Sequence, residues 1–167
     1  MNLAARAFSR TFLMTLVILF AGSNSFAQES EKPTAEEAKK FLDYYYKGQG
    51  SGPILVEKKL CSDIHKEGEN KNECTEVIST MKVKESGLIW MLFSAPSNDK
   101  YENIIIQFKR GELVRSARKV SITGSLRYRV WTRFKPDKAG DWMIKVVNEK
   151  SDGSVDTLGE LSMKVTE

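Results

Sequence analysis

The stretch that decides the fold class is Leu126-Arg127-Tyr128-Arg129-Val130-Trp131-Thr132-Arg133-Phe134. Its residues alternate in character, and one alternate set is apolar: Leu126, Tyr128, Val130 and Phe134. The intervening set places three arginines around an indole. Successive side chains of a β-strand point to opposite faces of a sheet, so this period of two predicts a strand with one face in the core.

Short runs rich in β-branched and aromatic residues continue from Ile54 to the end of the chain. Turn residues separate them, among others at 96–100, 110–111 and 123–124. Such runs without intervening helices predict an all-β fold, an immunoglobulin-like antiparallel β-sandwich. The predicted strands are Ile54 to Leu60, Val77 to Val83, Leu88 to Phe93, Asn103 to Phe108, Leu113 to Ile122, Leu126 to Phe134, Trp142 to Val147, and Leu158 to Val165.

One short amphipathic helix is predicted ahead of the strands. Thr34 and Glu37 have the spacing of a capping box directly after Pro33, which marks the start of the helix. A glycine-rich connector beginning at Gly48 ends it. The chain is therefore divided into a signal peptide (1–27), a polar leader with the helix and connector (28–53), and a β-sandwich domain (54–167).

The N-terminus has the pattern of a secretory signal peptide. Arg6 and Arg10 precede an apolar run, and a small-residue exit follows at Ser25 to Ala27. The apolar run is shorter than the roughly 20 residues that span a bilayer, so no transmembrane span is expected in the processed chain. The predicted location is the bacterial periplasm or the exterior of the cell.

Arginine is confined to one window of the processed chain. All six arginines after residue 27 lie between Arg110 and Arg133. Removal of Arg6 and Arg10 leaves 24 basic and 22 acidic residues, so the net charge of residues 28–167 is 24 minus 22, or +2. This balance, the absence of a basic tail and the predicted export argue against a nucleic acid as the partner.

Cys61 and Cys74 are the two cysteines of the chain. In an oxidising compartment such a pair predicts a disulfide that closes the loop Ser62 to Glu73, and two unpaired thiols are the alternative. The spacing does not fit a CxxC redox pair. The loop is predicted to be polar and solvated.

The polar face of the 126–134 strand is the predicted ligand-binding site. Arginine binds carboxylate and phosphate groups bidentately, and an indole stacks on rings. The ligand-binding residues are therefore predicted to be Arg127, Arg129, Trp131 and Arg133. The alternative is a solvated sheet face whose arginines pair with carboxylates on neighbouring strands, with Glu102, Glu160 and Asp141 as candidates.

No catalytic residue, metal site or cofactor is predicted. His65 is the only histidine of the chain, and Ser62 and Asp63 are close to it in sequence only. The acidic residues around His65 match no calcium-binding or zinc-binding spacing. The sequence also lacks the glycine patterns that bind phosphate and the GxSxG and HExxH motifs.

Three segments resemble an uncharacterised bacterial family, domain-of-unknown-function family twenty-nine-fourteen. They are Arg127 to Thr132, Gly140 to Trp142, and Leu158 to Glu160, and the resemblance covers about Arg115 to Val165. It implies an exported or membrane-tethered protein with a compact β-rich domain. No activity is established for the family.

These observations favour a noncatalytic periplasmic binding module. Its expected ligand is an anionic glycan, a phosphate-bearing polymer or an acidic protein surface. The alternative is an accessory or structural subunit of a cell-envelope protein complex. That subunit would dock through its N-terminal helix, which carries Tyr44 to Tyr46, or through a sheet edge.

Overall fold

Residues 32–47 and 52–167, apart from the side chains of 96–99, are described by the computed structural model. They form one helix and six strands: α1 (Ala35–Tyr46), β1 (Ile54–Cys61), β2 (Thr80–Lys82), β3 (Gly87–Arg110), β4 (Leu113–Phe134), β5 (Gly140–Glu149) and β6 (Val155–Thr166). The predicted all-β fold with one N-terminal helix is confirmed. The predicted signal peptide at 1–27 lies outside the described residues.

Strands β3 and β4 are longer than predicted, with 24 and 22 residues. Each joins two of the predicted runs, so the turns predicted at 96–100 and 123–124 are wrong. The β3–β4 ladder shifts register between Ala95 and Lys100 instead. The polar and proline-containing segment therefore interrupts the ladder without ending either strand, because regular pairing resumes on both sides. The turn predicted at 110–111 is confirmed, and Gly111 there has a φ of 60°.

Because β3 and β4 continue through the register shift, each strand contributes to both layers of the sandwich, and one curled sheet supplies both layers. In the first layer, the first half of β3 pairs with β1 and with the second half of β4. In the second layer, the second half of β3 pairs with the first half of β4 and with β5, and β6 and β2 follow. The β2–β6 pair is parallel, which departs from the antiparallel prediction.

The main core lies between the two layers. Phe108 and Phe134 stack with their ring centroids 4.6 Å apart, and Trp142 meets Phe134 edge-on at 5.1 Å. The Trp142 indole N–H donates to the Lys138 carbonyl oxygen at 2.9 Å, so its polar atom is satisfied while the ring is buried. Trp142 is therefore a core residue, as expected for a tryptophan beside a glycine turn.

A second, smaller core covers the outer face of the first layer. Its buried residues are Cys61, Leu88, Trp90 and Leu92. The predicted disulfide between Cys61 and Cys74 is present, with the two Cα atoms 5.5 Å apart. Residues 88–93 are buried on both faces, as expected of a strand that is apolar at every position.

Helix α1 begins at the predicted capping box. The Thr34 hydroxyl accepts from the Glu37 N–H, and the Glu37 carboxylate accepts from the Thr34 N–H. Phe41 and Tyr45 are half-buried, and the Tyr45 hydroxyl donates to the Gly52 carbonyl oxygen. Tyr46 is 83% exposed. Over residues 32–47 and 52–167, no helix has the length and apolar character needed to cross a bilayer.

Candidate functional site

The four predicted site residues share the outer face of the first layer, as the period of two requires. Trp131 stands opposite Trp90 in the β3–β4 ladder, and Arg129 stands opposite Leu92. This face is covered by two other parts of the chain, helix α1 and the disulfide loop Ser62–Glu73. The arginines consequently meet protein rather than open solvent at two of the three positions.

Arg129 forms an ion pair with the disulfide loop. Its Nη2 lies 2.6 Å from Glu73 Oε1, and its Nε donates to the same oxygen at 2.7 Å. The side chain of Arg129 is 1% exposed, whereas that of Glu73 is 28% exposed. Because Glu73 directly precedes Cys74, the disulfide fixes the carboxylate over the sheet.

Arg127 forms the corresponding ion pair with helix α1. Its Nε lies 3.3 Å from Glu37 Oε2, and both side chains are 14% exposed. The same Glu37 oxygen accepts from the Thr34 N–H at 2.7 Å. One carboxylate thus caps the helix and ties it to β4.

The two indoles of this face pack beneath the disulfide loop. Trp90 is fully buried, and its N–H donates to the Asn72 carbonyl oxygen at 2.7 Å. Trp131 is partly buried against the same cluster. The Lys59 ammonium lies over the Trp90 ring, 5.1 Å from the ring centroid. Loop residues 66–71 are exposed, as expected of a polar, solvated loop, whereas Asn72 and Glu73 at its end contact Trp90 and Arg129.

Arg127, Arg129 and Arg133 therefore do not form an open row of cations along the strand. Arg133 is exposed, Trp131 is half-covered, and Arg127 and Arg129 are engaged by carboxylates. Two of the predicted partner carboxylates pair elsewhere, Glu102 with Lys100 and Glu160 with Lys145. The observed partners, Glu37 and Glu73, come from the covering segments rather than from neighbouring strands.

A second cationic surface lies on the first half of β4, where the sequence left Arg115 and Arg118 without an assigned position. We call residues 113–121 the basic edge. This segment pairs with β3 on one side, and no other strand of the described residues pairs with its opposite side. It carries Arg115, Arg118 and Lys119 and no carboxylate. Every one of its residues except Val120 is exposed.

Only one cation of the basic edge has an ion-pair partner among the residues described here. Arg115 Nη2 lies 3.1 Å from Asp137 Oδ2, and both side chains are exposed. The hydrogen bond from Arg115 holds the pKa of Asp137 below its usual range. The Glu102 pKa is lowered chiefly by its hydrogen bond with Lys100, with a smaller contribution from the charge of Lys119.

The basic edge begins with two exposed apolar residues. Leu113 is 67% exposed and Val114 is also exposed, directly after the Gly111 turn. A bulge between Phe108 and Lys109 places Arg115 without a ladder partner between Val114 and Ser116. The edge therefore combines unpaired backbone groups, cationic side chains and apolar contact area. The periodicity of the sequence did not indicate this edge, because the position of an edge depends on which strands pair with one another.

Hydrogen bonds join the two ends of the histidine loop. Ser62 Oγ lies 3.2 Å from Thr75 Oγ1, and the His65 backbone N–H donates to the Glu73 carbonyl oxygen. These contacts hold the loop closed. Within residues 32–47 and 52–167, no group of three or more histidine, cysteine or acidic side chains is placed to hold a metal ion.

The chain is similar to several solved structures at low identity. The C-terminal domain of Wzt is 9% identical, with 71% of this chain and 75% of that chain covered and a TM-score of 0.46. The CARDB domain of the PF1109 protein from Pyrococcus furiosus is 10% identical, with 69% and 90% covered and a TM-score of 0.38. The alkylpurine DNA glycosylase AlkC of Pseudomonas fluorescens is 7% identical, with 79% and 35% covered and a TM-score of 0.44.

No family model matches the chain, and no curated protein matches it. The resemblance to domain-of-unknown-function family twenty-nine-fourteen stays a prediction. None of the structural likenesses bears on what this chain binds.

Proposed function

We propose that this protein is a noncatalytic binding module that docks an acidic, extended protein segment along the basic edge. The observation that carries this proposal is the open side of residues 113–121, which bears three cations and no carboxylate. A strand edge offers a row of backbone donors and acceptors to a partner strand, and alternate side chains supply specificity.

Charge selects the partner of this edge. Two copies pairing edge to edge would bring Arg118 and Lys119 of each copy close together, and like charges opposite one another destabilise a strand pair. A strand carrying glutamate or aspartate would instead place opposite charges across the new ladder. The charges therefore disfavour self-association and favour an acidic partner.

Arg115 can exchange its partner at little cost. Its pair with Asp137 is exposed on both sides, and exposed ion pairs contribute little to stability. A carboxylate on the docked segment would replace that of Asp137. Leu113 and Val114 would then cover apolar side chains at one end of the segment.

We also propose that the protein is exported and that its role is noncatalytic. The signal-peptide pattern at 1–27 sends the chain to the periplasm or beyond, so its partner is an envelope or secreted protein. The role proposed for the basic edge requires binding alone, so no catalytic residue is assigned.

Peptide binding tests the proposal. The probe is a capped nonapeptide that alternates valine and glutamate, labelled for fluorescence anisotropy and titrated with the chain from Gln28. Binding is expected in low salt and should weaken as the salt concentration rises. The double variant Arg118→Gln/Lys119→Gln should bind about ten-fold more weakly, which corresponds to about 1.4 kcal/mol. Equal binding by this variant would overturn the proposal.

A matched variant controls for net charge. Lys66 and Lys71 are exposed in the disulfide loop, which contacts β4 at Arg129, outside the basic edge, and Lys66→Gln/Lys71→Gln removes the same number of positive charges. This control should bind the peptide as the unmodified chain does. Alginate, an anionic glycan without backbone amides, provides a second comparison. If alginate binds as tightly as the peptide and competes with it, the ligand is an anionic polymer and strand pairing is not required.

Docking through helix α1 is the second candidate, as part of an envelope complex. The specific observation in its favour is the exposure of Tyr46 and Leu42 on the helix. Crosslinked pulldown from envelope extracts separates the two candidates. A partner lost on Tyr46→Ser but retained by Arg118→Gln/Lys119→Gln would favour the helix.

A further inference from the structure

An apolar cavity of about 190 Å³ lies between helix α1 and the sheet. Its walls are formed by the helix and its approach on one side and by β3 and β4 on the other: Pro33, Glu37, Ala38, Phe41, Leu42, Ser94 and Leu126. Leu42 and Leu126 are about half exposed, so they form its mouth. We call this cavity the Ser94 pocket.

Ser94 supplies a buried hydroxyl to the wall of the pocket. The residue is 2% exposed, and its Oγ has no hydrogen-bond partner among the described residues. A buried hydroxyl without a partner is unfavourable, and protein interiors satisfy most such groups. A molecule that exchanges a hydrogen bond with this hydroxyl would remove that cost.

The carboxylate of Glu37 does not set the charge of the ligand. Although Glu37 lines the pocket, its Oε2 accepts from the Thr34 N–H and faces Arg127. The negative charge is therefore balanced by the guanidinium. A charged ligand would find no free counter-charge on the walls and would lose its hydration on entry.

We propose that the Ser94 pocket binds a neutral small molecule of about one aromatic ring that carries a single hydroxyl or carbonyl oxygen. An apolar cavity of about 150 Å³ is enough to hold benzene, so a ring with one oxygen fits this volume. The ring would contact Phe41 and Leu126, and its oxygen would bond to Ser94 Oγ. This site is separate from the basic edge and does not depend on the function proposed for that edge.

The position of the pocket ties its occupancy to the helix. Four of its wall residues belong to α1, which has no residue buried to the extent of the core. A ligand that fills the space between Phe41 and Leu126 adds apolar contact to a helix that is otherwise only partly buried. Occupancy should therefore slow amide exchange in α1.

Phenol and benzene form a matched pair of probes for this proposal. Each is titrated into the chain from Gln28, and the methyl signals of Leu42 and Leu126 are followed by NMR. Phenol is expected to shift both signals with saturation and to slow amide exchange in α1. Ser94→Ala should weaken phenol binding about ten-fold, the value of one hydrogen bond, and leave benzene binding unchanged or tighter.

Two helix variants control for filling the space. Ala38→Leu places extra volume in the pocket and should abolish the saturable shifts. Lys39→Leu adds a similar side chain on the exposed side of the same helix and should leave them intact. Absence of saturable shifts in the unmodified chain would overturn the proposal, as would equal phenol affinity in Ser94→Ala.

Discussion

Arg129 Nη2 lies 2.6 Å from Glu73 Oε1, and the arginine side chain is 1% exposed. This ion pair joins β4 to the disulfide loop, 56 residues earlier in the chain. A buried guanidinium that faces a fixed carboxylate is held in the fold and is not presented to a ligand. Four arginines consequently have two different roles: Arg127 and Arg129 anchor the covering segments, and Arg115 and Arg118 give the basic edge its surface charge.

Glu73→Gln tests the anchoring role of Arg129. The change removes the negative charge and keeps the side chain nearly the same size. We expect the free energy of unfolding to fall by about 3 kcal/mol, because one partner of a buried ion pair is lost. Urea unfolding measures it. Glu67→Gln, at an exposed position of the same loop, should change nothing. A loss for Glu73→Gln as small as that control would contradict the anchoring role.

Glu37→Gln separates the two roles of Glu37. Glutamine still accepts from the Thr34 N–H in a capping box, so the helix cap survives while the charge facing Arg127 is lost. We expect faster amide exchange throughout α1 and a loss of about 1 kcal/mol in the free energy of unfolding. Thr34→Ala, which removes the cap hydroxyl but not the charge, provides the comparison. If Glu37→Gln left exchange in α1 unaltered, the tie to β4 would be unnecessary.

Removal of the disulfide should release the cover from the outer face of the first layer. In Cys61→Ala/Cys74→Ala we expect a loss of about 3 kcal/mol from the open loop. Because Asn72 and Glu73 directly precede Cys74, the indole of Trp90 should gain water, and its fluorescence should shift to longer wavelength. A stable variant with unshifted fluorescence would show that the loop stays in place without the bond.

The Arg115–Asp137 pair predicts a pH dependence confined to acid. Its hydrogen bond lowers the folded-state pKa of Asp137 below the usual value of about 3.9. The stabilisation is therefore complete above about pH 4 and is lost as the pH falls through the folded pKa. NMR titration of the Asp137 carboxyl carbon checks the direction. Arg115→Gln should return the pKa of Asp137 to its usual range, and an unchanged midpoint would rule out the pairing.

Local features of the sequence predicted local structure well. The capping box at Thr34 and Glu37 marks the start of α1, and the cysteine pair forms the predicted disulfide. The predicted turn at 110–111 is also present, with Gly111 at a φ of 60°. These predictions depend on neighbours within a few residues or on a single pair of side chains.

The environment of the arginine face could not be predicted in the same way. The period of two correctly placed Arg127, Arg129 and Trp131 on one face, but it does not say what covers that face. The face is covered by the segments that carry Glu37 and Glu73, which are distant from the strand in sequence. In the sequence these two glutamates have the positions of an ordinary helix-cap residue and an ordinary loop residue. The basic edge was not predicted, for a related reason. Whether a strand is paired on one side or on both depends on the arrangement of the whole sheet, and β4 is paired with β3 alone.

Two strand boundaries were predicted wrongly because residues that are typical of turns lie within β3 and β4. Residues 96–100 and 123–124 have the composition of turns, yet the β3–β4 ladder absorbs them through register shifts. The long hairpin dominates because both strands continue to pair beyond the interruption. This continuity gives the sheet its curl and leaves the first half of β4 at the edge.

The most direct test of the account is to locate the valine–glutamate nonapeptide on the labelled protein by NMR. We predict contacts between peptide protons and the amide protons of Arg115 to Lys119, together with slowed amide exchange across residues 113–121. Arg118→Gln/Lys119→Gln should remove both effects. Contacts that map instead to Arg133 or to α1, with the β4 amides unaffected by the peptide, would contradict docking on the basic edge.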